Sequence, residues 1–432
     1  MDSLRGRMSP EESPPEGPER PSTSGRDRRR LDDRYRIYLA KAFRAVAYGA
    51  LSGFLFLYLE QATGLSPFLS LLVASLTLVG SAVWSFAAVA PLERRFGRRR
   101  TLQLFSGLFV ASALLLYLTA AIPAVIAAVI LGGVAASTAD NGPLAALDQA
   151  ILPSTLRRSR RAEGFAWYNL IANFGGAAGA LLLVVPGALA PRTVPLLPAG
   201  PHPWIGLVYL LLAVGTLVSY LSLTPAVESP PEEAPPVPLS SETRGNVRAL
   251  AGLFGLDAFA GGMVINPVVT AFFVLFWGQS AAAIGGILFA AGTVAGFSFL
   301  LASRLAERFG LLPTMVFTHL PSNVLLMLVP LMPTFPLAIG MFLARMSLSQ
   351  MDVPTRQTYS MNMVPRRERP RVSGALSGAR GLPQSAGPFA ASALLSLTSS
   401  VASAFYLGGA LKVVYDLLLW QRFRKIRIGA EP

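Results

Sequence analysis

Ala90-Pro91-Leu92-Glu93-Arg94-Arg95-Phe96-Gly97-Arg98-Arg99-Arg100-Thr101-Leu102 decides how this chain is read. Five arginines are packed around one glycine, and an apolar stretch lies on either side, at about 66–90 and 101–122. A hydrocarbon core of roughly 30 Å takes about 20 residues of helix. Each flank is therefore long enough to cross a bilayer, and the arginines mark the turn between two crossings.

Working outward, ten further stretches of similar length appear at about 43–62, 124–152, 163–189, 204–223, 248–276, 281–302, 313–332, 335–359, 372–397 and 401–420. The composition agrees, with 53% hydrophobic and only 14% charged residues, where a soluble domain carries about 25% charge. The net charge of +14 is not spread evenly. Arg157, Arg158, Arg160 and Arg161 stand between spans four and five, and Arg366, Arg367, Arg369 and Arg371 between ten and eleven. The N-terminal tail and Arg422 to Arg427 are also basic, while the opposite loops hold only Arg192. The positive-inside rule then places both termini in the cytoplasm. This placement explains the charge without nucleic acid as a partner. With no cysteine, disulfides and thiolate metal sites are excluded. The two histidines, His202 and His319, make no zinc site by themselves. Neither a cofactor nor a bound metal is expected.

The expected domains are a basic tail at 1–36, a six-span bundle at 37–223, a linker at 224–246, a second bundle at 247–421 and a tail at 422–432. The first tail is rich in Pro, Ser and Glu and is expected to be disordered and cytoplasmic, as is the Pro/Glu-rich linker. The two bundles repeat. Arg95-Phe96-Gly97 returns as Arg308-Phe309-Gly310 at an offset of 213, and Thr101 as Thr314. At an offset of 212, Ser137 pairs with Ser349, Asp140 with Asp352, Pro153 with Pro365, Arg157 with Arg369 and Gly175 with Gly387.

Six plus six spans, a cytoplasmic linker and a basic turn after the second span of each half resemble the major facilitator superfamily over about residues 37–425. That family's motif on this turn is Gly-x-Leu-Ala-Asp-Arg-x-Gly-Arg-Arg/Lys-x-x-Leu. The first copy puts Arg94 at the acidic position, with Glu93 beside it; the second, Ser303-Arg304-Leu305-Ala306-Glu307-Arg308-Phe309-Gly310, keeps an acid. The resemblance implies that this acid caps a neighbouring helix and that Glu93, Arg94, Arg95, Gly97, Arg98, Arg99, Glu307, Arg308 and Gly310 form a conformational motif. The glycines permit the turn, and the arginines can meet acids or lipid phosphates. The resemblance implies an all-α membrane protein with twelve helices in two pseudo-symmetric bundles. Its function would be transport by alternating access, without enzymatic activity, most simply as a monomer in the cell (inner) membrane. The vaguer likeness around Asp352-Val353-Pro354-Thr355-Arg356 is to bacterial permeases of the sugar-efflux type. The antiporter pattern of the superfamily is weak here: span four lacks an arginine before its turn, and span five has glycines but no proline.

Charges inside spans are expensive, about 2.5–3.5 kcal/mol on insertion scales, and tend to face a bundle interior or water. Asp140, Asp257, Arg345, Asp352, Arg380, Lys412 and Asp416 lie well inside. On span ten, Arg345, Ser349, Asp352, Arg356 and Tyr359 follow one helical stripe, with Asp352 and Arg356 four apart and able to pair. Arg345 has no such acid and needs a partner on another helix or an anionic substrate. In the superfamily, spans one, four, seven and ten line the cavity, so Asp140 and Asp352 would face each other, with Asn141 beside Asp140. Asp257 has no basic residue within four positions. An acid left unpaired in an apolar site can carry a proton at neutral pH, which makes Asp257 the first candidate for proton coupling. Asp148 is expected to pair with the arginines beyond it, Lys412 with Asp416, and Arg380 with Asp148 or an acid at a basic turn.

The expected function is proton-coupled transport, with efflux favoured, of a small organic molecule. The alternatives are uncoupled transport of a sugar or metabolite, a membrane sensor, and a lipid-acting enzyme. The last lacks a nucleophile and base, and no ATP-binding Gly-x-x-x-x-Gly-Lys-Ser/Thr loop is present.

Overall fold

The computed structural model describes residues 24–131, 142–156, 160–184, 203–228, 240–365 and 368–426, and among these every regular element is helical. The first half holds α1 (Ser24–Thr63), α2 (Pro67–Val83), α3 (Val89–Phe96), α4 (Arg98–Leu118), α5 (Ile122–Leu131), α6 (Pro143–Ile151), α7 (Arg161–Leu181) and α8 (Pro203–Leu221). The second holds α9 (Ser241–Gly262), α10 (Asn266–Trp277), α11 (Ala281–Phe309), α12 (Leu311–Leu328), α13 (Phe335–Ser349), α14 (Asp352–Asn362), α15 (Arg369–Thr398) and α16 (Ala402–Phe423).

Eight helical stretches among the described residues are long and apolar enough to cross a membrane. The expected spans four, five, ten and eleven are not among them. Span four lies partly outside the described residues. In the others, polar groups interrupt the apolar run: Asn169 and Asn173 on α7, Arg345, Asp352 and Arg356 around the α13–α14 break, and Arg380 and Gln384 on α15. All of these face one internal cavity, where polarity is tolerated because lipid does not touch it.

Helix packing in one half mirrors that in the other. α1 packs on α7 and α8 as α9 packs on α15 and α16, and α4 packs on α8 and α5 as α12 packs on α16 and α13. The halves meet where α2 lies on α15, α7 on α11, and α1 on α10. Two mirrored contacts rest on glycine pairs, as the glycines of span five suggest. A Cβ on Gly49 would lie 2.0 Å from the Gly176 carbonyl oxygen, and one on Gly387 would lie 2.5 Å from Gly262. Only glycine admits backbones so close.

Two spans break. Span seven stops at Gly262 and restarts at Asn266 with Pro267 in its first turn. Span ten breaks between Ser349 and Asp352, because Pro354 has no N–H to offer the Gln350 carbonyl, and that carbonyl takes the Val353 N–H instead, at 3.3 Å. The single expected stripe from Arg345 to Tyr359 is therefore two pieces on two helices.

α1 begins at Ser24, ahead of the boundary expected at 37. The reason is local pairing. Asp33 is fully buried, pairs with Arg36 at 2.9 Å, and accepts the Thr224 N–H at 3.0 Å, which fastens the start of α1 to the end of α8.

Candidate functional site

The cavity between the halves has a volume of about 460 Å³. Its roof is closed where the halves touch at the ends of the spans away from the basic turns. There Asn266 Nδ2 donates to Ser52 Oγ at 2.9 Å, Thr270 Oγ1 to the Gly53 carbonyl at 3.3 Å, and Ser392 Oγ to the Phe68 carbonyl at 3.0 Å. Toward the basic turns the lining continues through Lys41, Gln149, Asn169 and Gln357.

One wall is a buried charge network centred on Asp257, which is 3% exposed. Lys412 Nζ approaches Asp257 Oδ1 at 2.5 Å, while Arg380 Nη1 and Arg356 Nη1 reach Oδ2 at 3.1 and 3.2 Å. Arg356 also pairs with Asp352 at 2.5 Å, as their four-residue spacing indicates. His319 stands behind, with Nε2 3.9 Å from Asp257 Oδ1 and Nδ1 2.9 Å from Asp416 Oδ1. Asn323 Nδ2 donates to the other Asp416 oxygen at 2.9 Å. Three acids, Asp257, Asp352 and Asp416, thus face Lys412, Arg356 and Arg380, with His319 between Asp257 and Asp416.

This arrangement corrects three expectations. Asp257 is not unpaired: its cations come from α14, α15 and α16, beyond the reach of any local spacing rule. Lys412 and Asp416 do not neutralise each other; Lys412 turns to Asp257 and Asp416 to His319 and Asn323. Arg380 meets Asp257, not Asp148.

The first half buries its own cluster. Arg44 Nη2 pairs with Asp148 Oδ2 at 2.6 Å, Tyr168 and Tyr220 hydroxyls donate to the same carboxylate at 3.0 and 2.9 Å, and Arg44 also bonds Tyr220. Asp148 thus meets Arg44 of α1, while Arg157 and Arg158, expected to pair with it, lie outside the described residues. Arg44 stands 213 positions before Asp257, the offset that relates the two basic turns. Each half therefore joins its first and fourth spans by a buried ion pair, with the charges exchanged. That register was the available signal for Arg44, and the reading of charged residues missed it. His319 and Lys41 were also missed as members of the site.

Arg345 lines the cavity from α13, with its guanidinium 5.9 Å from the Phe342 ring centroid. Asp140 and Asn141 lie outside the described residues. At the first basic turn, Gly97 has φ 82°, Arg95 lies over Phe96 at 5.3 Å, and Glu93 pairs with Arg98 at 2.5 Å. Gly310 has φ 90° and Arg308 lies over Phe309, again at 5.3 Å. The Glu228 carboxylate accepts the N–H groups of Arg98 and Arg99 at 2.8 and 2.9 Å, a placement the helix dipole favours. Arg94 and Glu307 are exposed.

Against solved structures, the chain superposes on a POT family peptide transporter with a TM-score of 0.69 and 12% identity, covering 93% of this chain and 98% of the other. The fold is that of the major facilitator superfamily. A D-xylose-proton symporter of this fold matches with a TM-score of 0.67 at 15% identity, over 90% of this chain and 97% of the other. The MFS/sugar transport protein family model matches residues 13–190. By sequence, the chain is 22% identical over 415 residues to an uncharacterized membrane protein of Saccharomyces cerevisiae, covering 89% of this chain and 92% of the relative. The superfamily resemblance is borne out, and the sequence relative found is fungal where bacterial kin were expected.

Proposed function

We propose that this chain is a proton-coupled secondary transporter of a small organic molecule, working by alternating access around the central cavity. The observation that carries this reading is the Asp257 network on the cavity wall. It draws on α9, α12, α14 and α16 of one half together with α15, which packs on α2 of the other. Histidine is the side chain that ordinarily changes charge between about pH 5 and 8. His319 lines the cavity, faces Asp257 on α9 and Asp416 on α16, lies beside Asn323 and the Tyr415 ring, and shares Asp257 Oδ1 with Lys412. Proton transfer onto His319 would loosen the hold of Lys412 and Arg380 on Asp257. That gives the two protonation states different preferred packings, as coupling requires. The proton named in the D-xylose-proton symporter of the same fold supports this reading. The arginine distribution supports an orientation with both termini in the cytoplasm, so that the cavity opens inward.

The test is reconstitution into liposomes with an imposed pH gradient, recording substrate-dependent charge movement and its direction. Wild type should accumulate or expel substrate with the gradient. His319→Gln should keep substrate exchange between equal pools and lose gradient-driven accumulation. Flux indifferent to pH in wild type would make the protein a facilitator and end the coupled reading.

A further inference from the structure

The cations of the cavity wall are not all used. Arg356, Arg380 and Lys412 are committed to Asp257 and Asp352, and Lys41 lies 4.6 Å from the Tyr168 ring centroid. Arg345 differs. Among the described residues no carboxylate comes within 4.0 Å of it. Its Nη1 reaches only the sulfur of Met346, at 3.0 Å, and its Nε is buried with no acceptor. Thioether sulfur is a weak acceptor, so among the described residues the guanidinium has no strong acceptor while lining the cavity. Elsewhere in the bundle Arg44, Arg356, Arg380 and Lys412 each meet a carboxylate.

Charge over the lining points the same way. Among the described residues the cavity lining includes five Lys or Arg against two Asp, a formal excess of three positive charges. Asp416, behind the wall, lowers the excess to two. The Phe342 ring lies beside Arg345, and the same lining holds the apolar Phe299, Ile265, Val269 and Leu288. A planar guanidinium with free donors fits an oxyanion through two parallel bonds, where an ammonium would give only a point charge. In a site screened from bulk water such a contact gains strength, and leaving the cation unpaired is costly.

We infer that the cavity takes a small organic anion, whose carboxylate, sulfonate or phosphate docks on Arg345 and whose apolar body lies along Phe342 and Val269. This rests on the cavity being the transport site. It fixes the substrate class, which the fold leaves open.

The test is equilibrium binding to the full chain in lipid nanodiscs, without any gradient. The probes are benzoate, benzenesulfonate and phenyl phosphate, with benzamide and benzyltrimethylammonium as neutral and cationic controls. At least one anion should bind and raise the unfolding temperature, and the controls should not. Arg345→Gln should weaken that binding by at least about tenfold, the scale of a charge-assisted hydrogen bond, and Arg345→Lys should recover part of it. If Arg345→Gln folds poorly, the charge-retaining Lys variant still reports, since loss of the fork alone should weaken the anion. Silence from all three anions overturns the inference. So does equal binding of the neutral amide, or anion binding unaffected by either variant, which would make Arg345 a hydrated cation only. Because no gradient is used, intact anion binding alongside pH-indifferent flux would remove the coupling and leave the anion site standing. Transport of neutral or cationic solutes would do the reverse.

Discussion

Asp257 is the residue on which most of the second half's buried charge converges. Lys412, Arg356 and Arg380 all hold it, at separations of 155, 99 and 123 residues in the chain. None of these pairs was legible in the sequence, because local spacing reports only neighbours one turn away. The Asp352–Arg356 pair was legible for that very reason. The energetic consequence is one-sided: removing one partner of a buried ion pair leaves the others uncompensated and costs about 3–5 kcal/mol. Asp257→Asn should therefore lower the unfolding temperature of the purified protein sharply. Adding Lys412→Met should give back about 0.5–3 kcal/mol, the usual range of coupling between touching residues. Strict additivity of the two changes would show that the 2.5 Å contact carries no coupling. In the first half, Tyr220→Phe deletes a hydroxyl bonded to both Asp148 and Arg44. It should cost about 1–3 kcal/mol, the price of a buried polar group left unsatisfied, read in the same unfolding experiment.

Elements were readable to the degree that lipid shaped them. Helices facing lipid must be apolar, so their lengths stand out in the sequence, and eight do so in the structure. Helices facing the cavity are relieved of that requirement, and so α7, α13, α14 and α15 carry the polar groups that blur their own boundaries. The break in span ten was not foreseen, although Pro354 was visible, since a proline inside a span can equally be absorbed as a kink. Close packing of α1 on α7 was foreseeable from the glycines of span five and is the property to test at this scale. Gly49→Ala would put its methyl 2.0 Å from the Gly176 carbonyl oxygen, and overpacking of this kind typically costs about 1–3 kcal/mol or more. Gly286→Ala on α11 meets nothing within 4 Å. It should leave stability unchanged or raise it by up to about 1 kcal/mol, the helix preference of Ala over Gly. Equal behaviour of the two variants in detergent unfolding would deny that the α1–α7 contact depends on glycine.

Across the whole molecule, the repeat ties these observations together. Mirrored helix packing, mirrored basic turns and mirrored glycine pairs build one scaffold twice, while the buried ion pairs Arg44–Asp148 and Asp257–Arg356 exchange their charges. The halves are thus equal in shape and unequal in chemistry, and among the described residues only the second carries a histidine within its network. They touch through Ser52, Gly53 and Phe68 on one side and Asn266, Thr270 and Ser392 on the other, all away from the basic turns. A transporter that rocks must break these contacts to expose its cavity on the other face. The absence of cysteine gives a clean background for watching this happen. With Gln357→Cys in proteoliposomes of known orientation, an impermeant maleimide should label the cavity from the face of the basic turns. Joining Ser52→Cys to Asn266→Cys with a short bifunctional thiol reagent should hold the opposite face shut, preserve that labelling and stop substrate flux. Labelling of the joined protein from the opposite face, or flux that survives the crosslink, would show that this contact is not the gate.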